Sequence, residues 1–160
     1  MQNGGKIDIL KSIYFKFREH GLKLTPQRIA VYENLIKSGK HLAAEELYRL
    51  VKRDISGISL DTVNRTLRTF AKIGLVEIVE DLGSSRRYDS NLNKHHHFHC
   101  VKCGAIIDFY DEEYDNLKIP PRIRHRYEIR GKRVVISGVC DKCRDRKKYK
   151  SNRNSRRRKA

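Results

Sequence analysis

Apolar residues recur at helical spacing four times in the first half of the chain. Leu10, Ile13, Tyr14 and Phe17 mark a first helix, with Gly21 as its stop. Thr25-Pro26 then puts an N-cap hydroxyl before a proline suited to a first helical position, and Ile29, Ala30, Val31, Leu35 and Ile36 continue a stripe as far as Gly39. A third short helix is predicted over 43–51 from Ala44, Leu47, Tyr48 and Val51. Ser59 caps a fourth, whose Leu60, Val63, Leu67, Phe70 and Ala71 line one side while Asp61, Asn64, Arg65, Arg68 and Lys72 occupy the other. Gly74 ends it. The LVEIVE and RRYD runs that follow, joined through residues 81–85, read as the two strands of a hairpin.

Helices followed by a hairpin predict a winged helix-turn-helix. In that reading the fourth helix enters a major groove, with Asn64 and Arg65 facing base edges and Ser59, Thr62 and Lys72 facing phosphates. A solvated amphipathic helix of a plain bundle would give the same periodicity. After Asp89 the pattern changes: SNLNK is polar and turn-prone, and beyond it come short β-like runs (HFHCV, AIIDF, YEIR, RVVISGV) with a brief acidic helix near 111–118 ended by Pro120-Pro121. The expected fold is α+β: a winged-helix domain over 1–89, a hinge at 90–94, a small α/β dimerisation and metal-binding domain over 95–143, and a disordered tail over 144–160.

Charge sharpens this division. The 160 residues carry a formal net charge of +17, which calls for a polyanionic partner, nucleic acid first among them. Residues 144–160 hold ten Lys/Arg against one Asp, so the tail is either a nonspecific phosphate-binding arm or a solvated segment. No run of 18 apolar residues exists and the first ten residues lack a signal-peptide core, so a cytoplasmic protein with no membrane partner is expected.

The cysteines fall in two Cys-x-x-Cys pairs, Cys100/Cys103 and Cys140/Cys143. Two such loops can present four sulfurs to one tetrahedral Zn²⁺, whereas two disulfides would suit an oxidising compartment. His95, His96, His97 and His99 cluster within five residues. On a strand His95, His97 and His99 share one face and His96 takes the other. Asp108 on a partner strand and Asp89 at the end of the hairpin are candidate carboxylates, and nitrogen-plus-carboxylate ligation suits Fe²⁺, Mn²⁺ or Zn²⁺. The run also reads as a basic surface stretch, and His41 alone reads as a helix-start residue.

LTPQR (24–28), H-x-x-A-E-E-L-Y (41–48), TVNRTL (62–67), SSRRYD, HHHFHCVKCG (95–104) and GVCDKC (138–143) together resemble the ferric uptake regulator family, most closely its peroxide-responsive repressor branch. The resemblance implies a homodimeric, metal-dependent repressor of double-stranded DNA operators, with structural Zn²⁺ on the four cysteines. It implies a regulatory ion, Fe²⁺ or Mn²⁺ with Zn²⁺ as another possibility, on His41, Asp89, His95, His97 and Asp108. DNA contacts would come from Arg28, Ser59, Thr62, Asn64, Arg65, Arg68 and Lys72. Aspartate at both carboxylate positions resembles the peroxide sensors, in which a ligand histidine is oxidised, here His41 or His95; an iron- or metal-availability regulator without a redox step is the alternative. A second site of many iron-uptake regulators would fall on Lys94, His96, Asp115 and Lys132, where two lysines argue against it. The family's usual tyrosine is replaced by Asn64. With ligands filling the coordination sphere there is no open position for catalysis, so no enzyme and no small-molecule substrate are expected.

Overall fold

The computed structural model describes residues 11, 13–79 and 86–145; the predicted turn at 81–85 and nearly all of the predicted tail lie outside the described residues. The chain divides into two units between Leu92 and Asn93.

In the first unit, helix α1 covers residues 13–19 and turns at Gly21, whose φ of +62° is one that a side chain resists. Helix α2 (Pro26–Ser38) opens on Thr25, whose hydroxyl accepts the Arg28 N–H, and closes on Gly39 in the left-handed region. Helix α3 is Ala44–Asp54, and α4 is Leu60–Lys72 with Ser59 accepting the Thr62 N–H at 3.1 Å. The stripes read from the sequence meet in one core: Ile13, Val31, Leu35, Leu47, Val51, Val63, Leu67 and Phe70 are wholly buried. Phe70 stands edge-on to Phe17 and Tyr32 at centroid distances of 5.9 and 5.5 Å, and burying each such ring contributes about 1.5–3 kcal/mol.

Beside the helices lies an antiparallel sheet of β1 (Leu42–Ala43), β2 (Glu77–Val79) and β3 (Arg87–Asp89), in the order β1-β3-β2. Tyr88 is the shared register point, opposite Leu42 on one side and Ile78 on the other. The two-residue β1 was not predicted, because no alternation can be read over that length and its residues continue into the apolar pattern of α3.

In the second unit, β4 (His96–Cys100) is central, antiparallel to β5 (Ile106–Phe109) and parallel to β6 (Val135–Gly138). The acidic helix is shorter than predicted: α5 is Glu112–Asp115, and Pro121 starts α6 (Pro121–Arg124) instead of ending a helix, as a proline can where its N–H would have no partner. The YEIR run forms no strand, since a four-residue alternation does not specify one and both sides of β4 are already paired.

Candidate metal centres and nucleic-acid face

The first Cys-x-x-Cys sits on the turn that leaves β4, closed by the Gly104 N–H donating to the Cys100 carbonyl at 2.8 Å, with Gly104 at a φ of +68°. The second follows β6 and enters a helical turn over 141–145. Parallel pairing sets Cys100 opposite Gly138, and the approach is close: a Cβ on Gly138 would stand 3.0 Å from the Phe98 ring. The four sulfurs lie within 4.8 Å of one another, all as free thiols, and Cys103 Sγ is 3.8 Å from Cys140 Sγ. Zn–S bonds of about 2.3 Å at tetrahedral angles put sulfurs about 3.8 Å apart, so the set fits zinc; a disulfide would need about 2.05 Å.

The protonation of these thiols argues the same way. Cys100 is drawn down to about 6, first by the Cys140 backbone N–H, which donates to its sulfur at 3.3 Å, and next by the amide of Cys103. Cys143 is pushed up to about 12, first by its hydrogen bond with Cys103 and then by Cys140 and burial. One thiolate forms readily and the last resists; a divalent cation lets all four lose their protons.

Imidazole and carboxylate donors occur in each unit. In the first, His41 and Asp89 are buried, with His41 Nε2 3.3 Å from Asp89 Oδ2. The His41 backbone is anchored by a partly exposed ion pair. Arg87 Nη1 donates at 2.8 Å both to the His41 carbonyl and to Glu46 Oε2, and that carboxylate oxygen also accepts the Ala43 N–H. The Asp89 Oδ1 accepts the Asn91 N–H at 2.7 Å, so its other oxygen serves the histidine.

In the second unit, His95 and His97 are 1% exposed, with their Nε2 atoms 2.8 Å apart. The Asn93 carbonyl accepts from His95 Nδ1 at 2.6 Å, which leaves the Nε2 lone pair pointing at the shared space; metal-bound histidines are held this way. Two nitrogens at about 2.0–2.1 Å from one ion at a right angle would be about 2.9 Å apart, so the pair fits adjacent ligands. Asp108 pairs in register with His97, and its Oδ1 is 3.8 and 3.7 Å from the two Nε2 atoms. His99 is buried in register with Ile106 and Ser137.

The outer face of α4 exposes Asp61, Arg65, Arg68 and Lys72. Asn64 is half-buried and donates to the Leu60 carbonyl at 3.3 Å. Arg65 leans on Asp61 at 3.8 Å, a surface pair. A cleft of about 470 Å³ opens between the head of α2 and α4, lined by Arg28, Thr62 and Arg65 together with Lys23, Gln27 and Thr66. Of the predicted contacts, Asn64, Arg68 and Lys72 do not line it, and Ser59 reaches it only through its 2.9 Å hydrogen bond to Thr62. Lys23 and Gln27 escaped the sequence reading because nothing in their spacing sets them toward α4.

A unit with a cation-faced exposed helix, joined to one that carries a four-sulfur cluster and a buried imidazole pair, defines a metal-responsive regulator. The model of the ferric uptake regulator family matches residues 19–137, and the chain belongs to that family, whose members are transcriptional regulators that act as DNA-binding dimers and are not enzymes. It is 34% identical over 128 residues to the peroxide-responsive repressor PerR of Staphylococcus aureus, spanning 80% of this chain and 86% of that protein. The ferric uptake regulator Fur of Helicobacter pylori, described with three functional metal-binding sites, has a similar structure at a TM-score of 0.71 and 27% identity, covering 87% of this chain and 93% of its own. The iron-bound ferric uptake regulator of Francisella tularensis gives 0.66 and 26%, covering 78% and 96%. Among the described residues, no helix is long and apolar enough to cross a membrane.

Proposed function

We propose that this chain is a homodimeric repressor in which one regulatory ion, held by His41, Asp89, His95, His97 and Asp108, sets the grip of a winged helix-turn-helix on operator DNA. The observation that carries this reading is the pair of half-sites: a buried imidazole–carboxylate couple in one unit, and an imidazole pair with an adjacent carboxylate in the other. Neither alone fills a coordination sphere. An ion that needs both couples its own affinity to the orientation of the units across residues 90–94, and DNA gains from a protein already ordered. The donor set suits Fe²⁺ or Mn²⁺, with zinc reserved for the sulfurs.

In this reading α4 enters the major groove. Arg65→Ala is expected to cost about 1–3 kcal/mol of operator affinity and to relax the preference at one base pair, measured by anisotropy titration against operator variants.

The aspartates at positions 89 and 108, together with the Staphylococcus relative, support peroxide sensing. A ferrous ion, when bound, supplies electrons to reduce peroxide. His41 or His95 would gain one oxygen atom from the peroxide, the other oxygen leaving as water, which removes a ligand and releases DNA. Gel-shift titration with Fe²⁺, Mn²⁺ and Zn²⁺, each with and without peroxide, is expected to show release only in the Fe²⁺ form, with a 16 Da adduct on His41 or His95 by mass spectrometry, about the mass of one oxygen. Intact histidines and unchanged binding would leave a metal-availability regulator. Binding that ignores every ion would remove the regulatory site itself.

A further inference from the structure

The face of β4 opposite His95 and His97 carries a second cluster that the proposed regulatory site does not use. His96 is fully buried there, with Phe109 and Tyr114 against its ring at centroid distances of 5.4 and 5.7 Å. Its Nδ1 accepts the Val134 N–H at 3.2 Å, which turns Nε2 toward Asp115 Oδ1 at 3.3 Å. An imidazole and a carboxylate so placed are two donors that could serve a metal. Here two ammonium groups arrive instead. Lys94 Nζ lies 3.1 Å from the same Asp115 oxygen. Lys132 Nζ donates to the carbonyls of Asp115 and Leu117 at 2.6 and 2.5 Å. The Asp115 carbonyl is one of those that the end of a short helix leaves without an intrahelical partner, and Leu117 follows directly behind it.

An ammonium has three donors and no lone pair, so a lysine adds nothing to a ligand set and repels an incoming cation. Its charge does the neutralising and cross-linking that an ion would do. The tether also has a consequence across the strand: α5 and the segment before β6 are tied to the back of β4, whose front presents His95 and His97. We propose that Lys94 and Lys132 are positioning residues, a built-in pair of cations that holds β4 from behind, so that the imidazole pair is preset without an ion at His96 and the regulator answers to one exchangeable ion. The part concerning the exchangeable ion rests on the function proposed above.

Native mass spectrometry of the full chain with zinc and excess Mn²⁺ is expected to count two ions per chain, and a third would overturn the proposal. Lys132→Met is expected to weaken Mn²⁺ binding about tenfold, the usual scale for a lost outer-shell support, with zinc retained. Lys132→Arg should recover most of the loss, and Lys94→Ala, which leaves the two carbonyl contacts of Lys132 in place and loses only a longer one at 3.4 Å, should lose less. Hydrogen exchange at the amides of 96–100 should quicken in Lys132→Met with or without Mn²⁺. Unchanged affinity together with unchanged exchange in Lys132→Met would overturn the proposal. If the native chain binds no Mn²⁺ at all, the regulatory-ion reading fails, and the lysine clasp stands or falls on the exchange measurement.

Discussion

Serine in place of Cys140 is expected to release the zinc and unfold the second unit. Cys140 is buried and its sulfur lies 3.8 Å from that of Cys103, so the change removes one of the four ligands, although the backbone N–H that donates to Cys100 Sγ stays. A structural zinc contributes on the order of 10 kcal/mol to the fold it closes, against a total stability of about 5–15 kcal/mol for a whole domain. Little among its described residues can compensate: Val101, Ile107, Tyr110, Val135 and Ile136 are exposed in the single chain, and the buried ones are histidine and cysteine. Zinc content, far-ultraviolet circular dichroism and hydrogen exchange should all report the loss. The core built on Phe70 in the first unit should keep its protection. Retention of a full zinc equivalent with native exchange at 96–100 would refute the assignment.

Alanine in place of His97 is the second large effect. His97 faces His95 at 2.8 Å and is 1% exposed, yet removing its ring leaves the sulfur cluster untouched. Zinc should therefore remain and the unit should stay folded, while the metal-driven gain in operator affinity disappears. Couplings of this kind are worth about 5- to 150-fold, so anisotropy titrations with and without Mn²⁺ should converge on the metal-free curve. A variant that still responds to Mn²⁺ with the native increment would exclude His97 from the ligand set.

Much of this architecture is written in local rules. Thr25-Pro26, Ser59 and the glycines at 21 and 39 mark helix ends by their own chemistry, and the stripe from Val63 to Phe70 names the buried side of α4 without any knowledge of its neighbours. The four cysteines announce their geometry because the members of each pair are only three positions apart. What escaped is whatever depends on partners distant along the chain. β1 exists because Leu42 finds Tyr88, forty-six positions away, and the support of His41 comes through Arg87, which no spacing rule connects to it. Asp108 was legible as a carboxylate, but its distance to the imidazoles follows from the β4–β5 register. The lysine clasp was visible only as residues that do not suit a metal; that Lys132 reaches the end of α5 is a property of the folded chain.

The parallel pairing of β4 with β6 has a consequence for how the protein is made. A nascent chain that has emerged as far as residue 139 carries only two of the four sulfur ligands, and its closing strand has just left the ribosome. A polypeptide arrested or cut before Val135 would hold zinc weakly and present β4 without its parallel partner to cellular proteases. Closure of the β6 edge and acquisition of metal thus become a single step in the folding of the second unit.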